Sequence, residues 1–295
     1  MRWQIAAVYK FRPLKNIEEL QSQLKTLADE LEICGSILVA PEGVNGTFAG
    51  LGDSLSKFLD EFSQIFDLTD EDIKYSHCDY KPFLRMKVKL KREIITMRTD
   101  EADPLEKTGH YVDARDWNAL ISDPNVLLLD TRNDYEVRVG KFKNAVDPDL
   151  PSFEVFKEYV DDKLDPEKHP RVAMYCTGGI RCEKASSYML AKGFTDVYQL
   201  HGGILKYLEV VPKDESLWEG DCFVFDKRVA VDHDLNESQG WHMCYGCRMP
   251  INDEDLERPE YEESVSCHFC AENLTPKRVQ ALRHRRELMK QRGVA

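Results

Sequence analysis

The sequence predicts a mixed α/β chain in three parts, an α+β unit over residues 1–95, a parallel-sheet α/β unit over 113–215 and a cysteine-rich segment over 216–295, with a linker at 96–112. Three patterns lead to that division. Residues up to about 95 alternate strand-like and helix-like segments separated by turn residues. Beyond Asp113 short apolar runs alternate with helical patterns, as parallel strands covered on both faces do. From about Ser216 that rhythm stops and two C-x-x-C pairs appear.

In the first unit, WQIAAVYKF reads as a strand, and Ile17, Leu20, Leu24, Leu27 and Leu31 fall at helical spacing. GSILVA is a second strand, and PEGVNGT supplies the turn before a short third. Asp53 or Ser54 caps a helix that runs through Phe66, and RMKVKLK closes the unit as a strand. The order β-α-β-β-α-β is that of a ferredoxin-like split unit. The stretch KPFLRMKVKLKR holds six basic side chains, from Lys81 onward, and no acidic one. Strand alternation sends Arg85, Lys87, Lys89 and Lys91 to one face and Met86, Val88 and Leu90 to the other, which makes a basic stripe on an apolar sheet.

Pro104, Gly109 and mixed charge mark the linker. The second unit then reads as a helix around Trp117, the strand VLLLD, a helix near 153–162, the strand RVAMY, a helix from Arg181 to Lys192, the strand DVYQL and a helix after Gly203. Ligands of such sheets sit beyond the carboxyl ends of the strands, and Cys176 lies at that position. CFVFDKRVAV opens the last segment as a hairpin, and KRVQALRHRRELMKQR near the end is a basic helix or tail.

The net charge of −13 favours solubility and requires that any polyanion bind at a local basic patch. MRWQIAAVYKF lacks the apolar core of a signal peptide, and no run approaches the roughly 20 apolar residues of a membrane span, so a cytoplasmic protein is expected. Nine cysteines, an odd number, with four in C-x-x-C pairs, point to metal or thiol chemistry before a disulfide framework.

MYCTGGIRCEKA sets Cys176 after a strand, then Thr177, Gly178, Gly179, Ile180, Arg181 and a helix. A thiol attacks as thiolate, and at an ordinary pKa of about 8.5 only about 3% is ionised at neutral pH. The glycines let successive N–H groups converge, the helix presents its positive end and Arg181 adds a fixed charge, so the same cradle would ionise Cys176 and hold a sulfur anion or oxyanion bound to it. The competing reading is a buried inert cysteine. Cys182 is either a resolving thiol for Cys176 or a filler of the first helical turn. Cysteine phosphatases place five residues between cysteine and arginine, and here there are four. The loop therefore resembles that of a rhodanese domain, as do LLLDTRNDYEVRVGKFKNAV and GFTDVYQLHGGILKYLE. Asp130 and Arg132 in the former are expected to brace the fold.

PEGVNGTFAG, RMKVKLK, CTGGIRCEKAS and CFVFDKRVAV together resemble the bacterial tRNA uridine(34) hydroxylase family over nearly the whole chain. The resemblance implies an enzyme that hydroxylates C5 of the wobble uridine with dioxygen as co-substrate, with Cys176 as the working cysteine, Arg181 as its cradle residue and the tRNA anticodon loop as partner. The basic stripe and the basic tail are the patches that would hold RNA, the alternative being solvated surface. A wobble base is unpaired and can be splayed onto an aromatic ring, for which Tyr80 and Phe83 are candidates by proximity to the stripe. Two other functions fit the same residues: a sulfurtransferase that carries a persulfide on Cys176, and a non-catalytic RNA- or protein-binding module. No flavin or nicotinamide fingerprint is present, and His77-Cys78-Asp79 has the spacing of an iron triad without its second histidine.

Cys244, Cys247, Cys267 and Cys270 form C-x2-C-x19-C-x2-C, the spacing of a structural zinc site closed by four thiolates. Iron is the minor alternative, and His242 and His268 are near enough in sequence to substitute as ligands.

Overall fold

The computed structural model describes residues 2–291. Its first sheet contains β1 (Trp3–Phe11), β2 (Cys34–Ala40), β3 (Gly43–Leu51), β4 (Ile73–Cys78) and β5 (Met86–Leu90), in the spatial order β4-β1-β3-β2-β5. Helices α1 (Ile17–Glu30) and α2 (Ser54–Phe66) cover one face. Phe48 of β3 meets Phe58 and Phe62 of α2 at ring-centroid distances of 5.0 and 5.2 Å, and Phe66 lies 4.6 Å from Phe62. Each ring buried there stabilises the layer by about 1.5–3 kcal/mol.

The ferredoxin-like unit is present, with one correction to its membership. Its closing strand is β4, antiparallel to β1, and RMKVKLK forms β5, an added edge strand parallel to β2. IKYSHC mixes polar and apolar side chains on both faces, so its alternation is far weaker than that of β5. The split of β5 itself holds: Met86, Val88 and Leu90 pack toward α1 while Lys87 and Lys89 are exposed.

The second unit runs β6 (His110–Val112), α3 (Ala114–Ile121), β7 (Leu127–Asp130), α4 (Asp134–Val137), β8 (Gly140–Phe142), α5 (Phe156–Lys163), β9 (Arg171–Tyr175), α6 (Ile180–Ala191), β10 (Asp196–Leu200) and α7 (Gly203–Val210). Its four-stranded sheet has the order β6-β10-β9-β7 with every pair parallel. One apolar layer contains α3 and α7 and the other α5 and α6, so the sheet is covered on both faces. Asp113 caps α3 by accepting the Arg115 amide at 3.0 Å. Arg132 is fully buried, with Nε and Nη2 donating to Asp130 at 2.9 and 2.6 Å and Nη2 also reaching the Gly140 carbonyl, which is a brace between β7 and β8.

Residues 91–109 form no strand or helix, yet they are not loose: Met97 and Ala102 belong to the same apolar layer as α6. Lys184 of α6 bonds both Glu42, from the PEG turn of the first unit, and Glu93, at 2.8 and 2.7 Å.

In the last segment β11 (Trp218–Gly220) pairs with β8, and β12 (Cys222–Phe223) pairs with β13 (Ala230–Val231) as the hairpin anticipated from CFVFDKRVAV. β14 (Trp241–Met243), β15 (Pro250–Asn252), α8 (Asp253–Leu256) and α9 (Pro276–Gln291) follow. The basic tail is α9, but Arg283 and Arg286 bind Glu262 and Lys290 binds Glu263, so part of its charge is already neutralised. Arg292, also in that tail, lies outside the described residues. No described helix is long and apolar enough to cross a membrane.

Candidate active site between the two sheets

β9 ends at Tyr175, and Cys176 follows at the carboxyl edge of the second sheet. Gly179 turns the chain into α6 with φ of +105°, a conformation that favours glycine. That turn aims its amide at the Cys176 sulfur, 3.1 Å away. The amides of Ile204 and Leu205, at the start of α7, hold the Cys176 and Thr177 carbonyls from the other side at 3.0 and 3.1 Å. Burial resists ionisation of Cys176. The Cys182 side chain, the Arg181 guanidinium and the amides of Arg181 and Cys182 outweigh it and bring the thiol down to about 6. Burial and the neighbouring Cys176 push Cys182 the opposite way, so one of the two sulfurs carries the charge and the other the proton. Arg181 is not a free cation: it forms a two-point ion pair with Glu136, its Nη2 donating at 2.9 Å.

A cleft of about 710 Å³ separates this loop from the helix-free face of the first sheet. Cys176, Thr177, Gly178, Ile180 and Arg181 line one side, and Tyr9, Lys74, Lys89 and Lys91 line the other. The loop thus meets half of the basic stripe. Arg85 and Lys87 lie outside the lining, and Lys81 stands over the Trp3 ring at 5.6 Å. The acidic residues in the lining, Glu154, Glu209 and Asp226, are ion-paired with Arg98, Lys206 and Arg228. Lys74, Lys89 and Lys91 form no ion pair among the described residues. Burial draws the Lys74 ammonium below its ordinary value, against the opposing pull of Asp72 and Cys176.

The sulfur itself departs from expectation. A cradle cysteine is expected to stand open, but Cys176 is a cleft-wall residue with 0% exposed surface. The loop wraps it, and Tyr9 of β1 lies against the rim so closely that a Cβ on Gly179 would come within 2.8 Å of the phenol oxygen. Tyr9 is held there by Glu183 of α6, to which it donates at 3.0 Å. Tyr111 and Thr108 donate to the same buried carboxylate at 2.9 and 3.0 Å. Burial and Glu183 push the Tyr9 phenol up, so it stays protonated. The first unit therefore completes the cradle of the second.

Sequence reasoning misses Tyr9, Lys74 and Glu183, because nothing local says that β4 pairs with β1 or that β1 abuts α6. Of the aromatic candidates, Phe83 lines the cleft but is packed against Ile5, Cys34 and Cys78. Tyr80 lies outside the lining and donates to Glu237 at 2.5 Å. His201 is exposed against Tyr111, at a centroid distance of 5.4 Å, and does not line the cleft.

Residues 3–94 match a family model described as the UPF0176 acylphosphatase-like domain, and residues 113–209 match the rhodanese-like domain. The chain has the domain architecture of the UPF0176 family. That pairing fits a tRNA-modifying family. Among solved structures, a rhodanese-like domain from Anabaena sp is 19% identical, covering 37% of this chain and 78% of its own, with a TM-score of 0.29. An acylphosphatase from Coxiella burnetii is 11% identical, covering 30% of this chain and 93% of its own, with a TM-score of 0.24. A protein of unknown function from Rhodopseudomonas palustris, described as a possible tyrosine phosphatase, is 19% identical over 36% of this chain and 83% of its own, with a TM-score of 0.31. Each likeness concerns a part of the chain, and none bears on its substrate.

A separate site lies in the last segment. The sulfurs of Cys244, Cys247, Cys267 and Cys270 all fall within 4.8 Å of one another, with contacts of 3.9, 3.7 and 4.0 Å. Zinc–sulfur bonds of about 2.3 Å in a tetrahedron place sulfurs about 3.8 Å apart, so the four side chains fit a metal ion such as zinc. His242 is taken by Asp253 at 2.7 Å and His268 lies 3.4 Å from Asp255, which leaves the four cysteines as the donor set. Around His77, Cys78 and Asp79 no metal-binding group forms among the described residues; Asp79 pairs with Arg2 and the Cys78 thiol donates to the Tyr80 carbonyl.

Proposed function

We propose that this chain is a tRNA-modifying oxygenase that installs a hydroxyl group at C5 of the wobble uridine, with the Cys176 thiolate at the reaction centre and zinc in the four-cysteine site as a structural ion. The observation that carries the reading is the meeting of an ionisable cradle cysteine and three unpaired lysines in one cleft of a protein with net charge −13. Against an acidic background, cations left without carboxylates at a cleft fit a polyanionic strand. An unpaired anticodon nucleotide can leave its stack at little cost and enter such a cleft.

In the overall reaction one atom of dioxygen is inserted between C5 and its hydrogen to give the hydroxyl group and the other leaves as water, with two electrons and two protons drawn from an external reductant. The chain's own residues hold the strand through Lys74, Lys89 and Lys91, keep Cys176 ionised through the amides and Arg181, and fix the rim through Tyr9 and Glu183. Because the sulfur has no exposed surface, contact with a base requires displacement of that rim.

The rhodanese-like domain favours a second reading, transfer of sulfur from a Cys176 persulfide to tRNA or to a small thiol. Nucleosides of tRNA from cells with and without the protein, grown under heavy-isotope dioxygen, separate the two. Labelled 5-hydroxyuridine supports the oxygenase and unlabelled thiouridine supports the transferase. Identical nucleoside profiles with and without the protein would contradict the oxygenase and leave sulfur transfer to a small thiol as the reading.

A further inference from the structure

Two aromatic residues in the lining of this cleft are largely exposed: Tyr75 at 58% and Phe225 at 59%. Tyr75 sits directly across from Ala6 of β1, whose side chain packs on the helix side of the sheet, so its ring belongs to that opposite face. Phe225 is then the exposed ring on the cleft side.

The turn that carries it is fixed by several contacts, with Val224, Asp226, Arg228 and Val229 all buried around the exposed ring. Arg228 is buried and bonds Asp226 through its amide, Nε and Nη2 at 2.9, 2.9 and 2.6 Å, and reaches Ser76 of β4 at 3.1 Å. The Lys227 amide donates to the Pro82 carbonyl at 3.3 Å, which fastens the turn to the first unit as well. Val229 has φ of +64°, a backbone state that a β-branched residue adopts only under constraint. Phe223 packs edge-on beneath Phe225 at 5.1 Å between centroids and supports one side of it. A strained turn, a buried ion pair and a tie to the neighbouring unit together fix the turn that leaves this phenylalanine exposed in the lining of the lysine-bearing cleft.

We infer that Phe225 is the stacking platform for the unpaired wobble base of the RNA strand whose phosphates the cleft lysines hold. The inference deepens the RNA reading given above and rests on it. A flat apolar ring in a cleft that also holds unpaired cations matches a nucleotide, which offers both a π-face and a negative charge. It selects for an unpaired base without selecting its identity, and leaves recognition of uracil to the cradle side of the cleft.

The test uses the full chain and an anticodon stem-loop RNA carrying 2-aminopurine at the wobble position, whose fluorescence falls when it stacks. The wild type is expected to bind and quench. Phe225→Ala and Phe225→Leu are expected to bind on the order of 10- to 100-fold more weakly and to lose the quenching, Phe225→Trp is expected to restore both, and the salt dependence is expected to stay the same in all four proteins. Zinc content and melting temperature of each variant identify any that fails to fold, and the tryptophan variant keeps the comparison meaningful in that case. Unchanged affinity and quenching in Phe225→Ala and Phe225→Leu, with a wild type that binds, would overturn the platform alone. A wild type that does not bind the stem-loop would overturn the platform together with the RNA reading.

Discussion

Cys176 is buried and still ionisable, because the groups that favour its charge are fixed by the chain around it: amides aimed by Gly179, a helix start, Arg181 and the Cys182 thiol. With the thiol lowered to about 6, the thiolate is present above that pH and is lost as pH falls through it. Ultraviolet thiolate absorbance, taken as wild type minus Cys176→Ala, is expected to titrate near pH 6, and Cys182→Ala is expected to move the midpoint upward; an ordinary thiol midpoint in the wild type would refute the cradle. The two loop glycines are not equivalent. A Cβ at Gly178 meets nothing within 4 Å, whereas at Gly179 it meets the Tyr9 hydroxyl at 2.8 Å and a positive φ. Gly178→Ala is expected to change stability by less than about 0.5 kcal/mol and Gly179→Ala to cost about 1–3 kcal/mol, as read by denaturant midpoints. This loop was legible in the sequence because nucleophile, amides and helix start are neighbours in the chain. Tyr9, Lys74 and Phe225 were not, since each reaches the cleft through contacts between residues far apart in sequence.

The basic stripe shows how an element can be read correctly and assigned to the wrong place. The alternation of β5 gave its two faces, but whether it closes the ferredoxin-like unit or extends it depends on pairing with β2, which no local pattern contains. The outcome matters for binding, because the added edge strand carries Lys89 and Lys91 into the cleft while α9, the other basic element, pairs Arg283, Arg286 and Lys290 with Glu262 and Glu263. Replacing Lys89 or Lys91 by alanine is therefore expected to reduce the slope of log affinity for the anticodon stem-loop against log salt by about 0.7 for each phosphate that the lysine neutralises. Equal slopes in variant and wild type would remove the stripe from the interface. The cysteine pairs are a second element whose meaning was local: C-x2-C spacing sets two sulfurs on one turn. Beyond the cysteines, the cluster they anchor is small, with Ile251 buried and Leu256, Tyr261, Phe269 and Leu274 half-buried around it. Binding energies of about 10–16 kcal/mol make a structural ion the dominant support for such a segment. Chelation is expected to unfold it by hydrogen exchange while both sheets keep their protection.

At the scale of the molecule, α6 carries the reactive loop at one end and meets the first unit through Glu183 and Lys184 in its first half. Lys184 is 2% exposed and joins Glu42 and Glu93, and Glu183 joins Tyr9. Lys184→Met leaves two half-buried carboxylates unpaired and is expected to cost about 1–3 kcal/mol, less than a fully buried pair because both partners keep some water. Burial works against ionisation of Glu93, but Lys184 and the amides of Met97 and Arg98 hold its carboxyl below the ordinary value. The stabilisation from Glu93 is thus complete above the unfolded carboxylate range and disappears as pH falls through its own lower value, so acid is expected to loosen this interface over that interval. Proteolysis between the units below about pH 4 would register the loosening, and Glu93→Gln would remove its pH dependence. Cys176 packs in the apolar layer of its own unit with Leu129, Met174 and Cys182, and Tyr9 of the first unit lies against the rim of its loop. The sequence could show neither the Leu129 nor the Tyr9 packing, because both join residues far apart in the chain.

The claim that an anticodon base enters this cleft and reaches Cys176 is tested most directly by photo-cross-linking a tRNA that carries 4-thiouridine at the wobble position to the full chain and mapping the attached peptide. The account predicts attachment within the cleft, on the peptide from Arg171 to Arg181 or on the turn around Phe225. Attachment confined to α9, or to the outer face of either sheet, would contradict it.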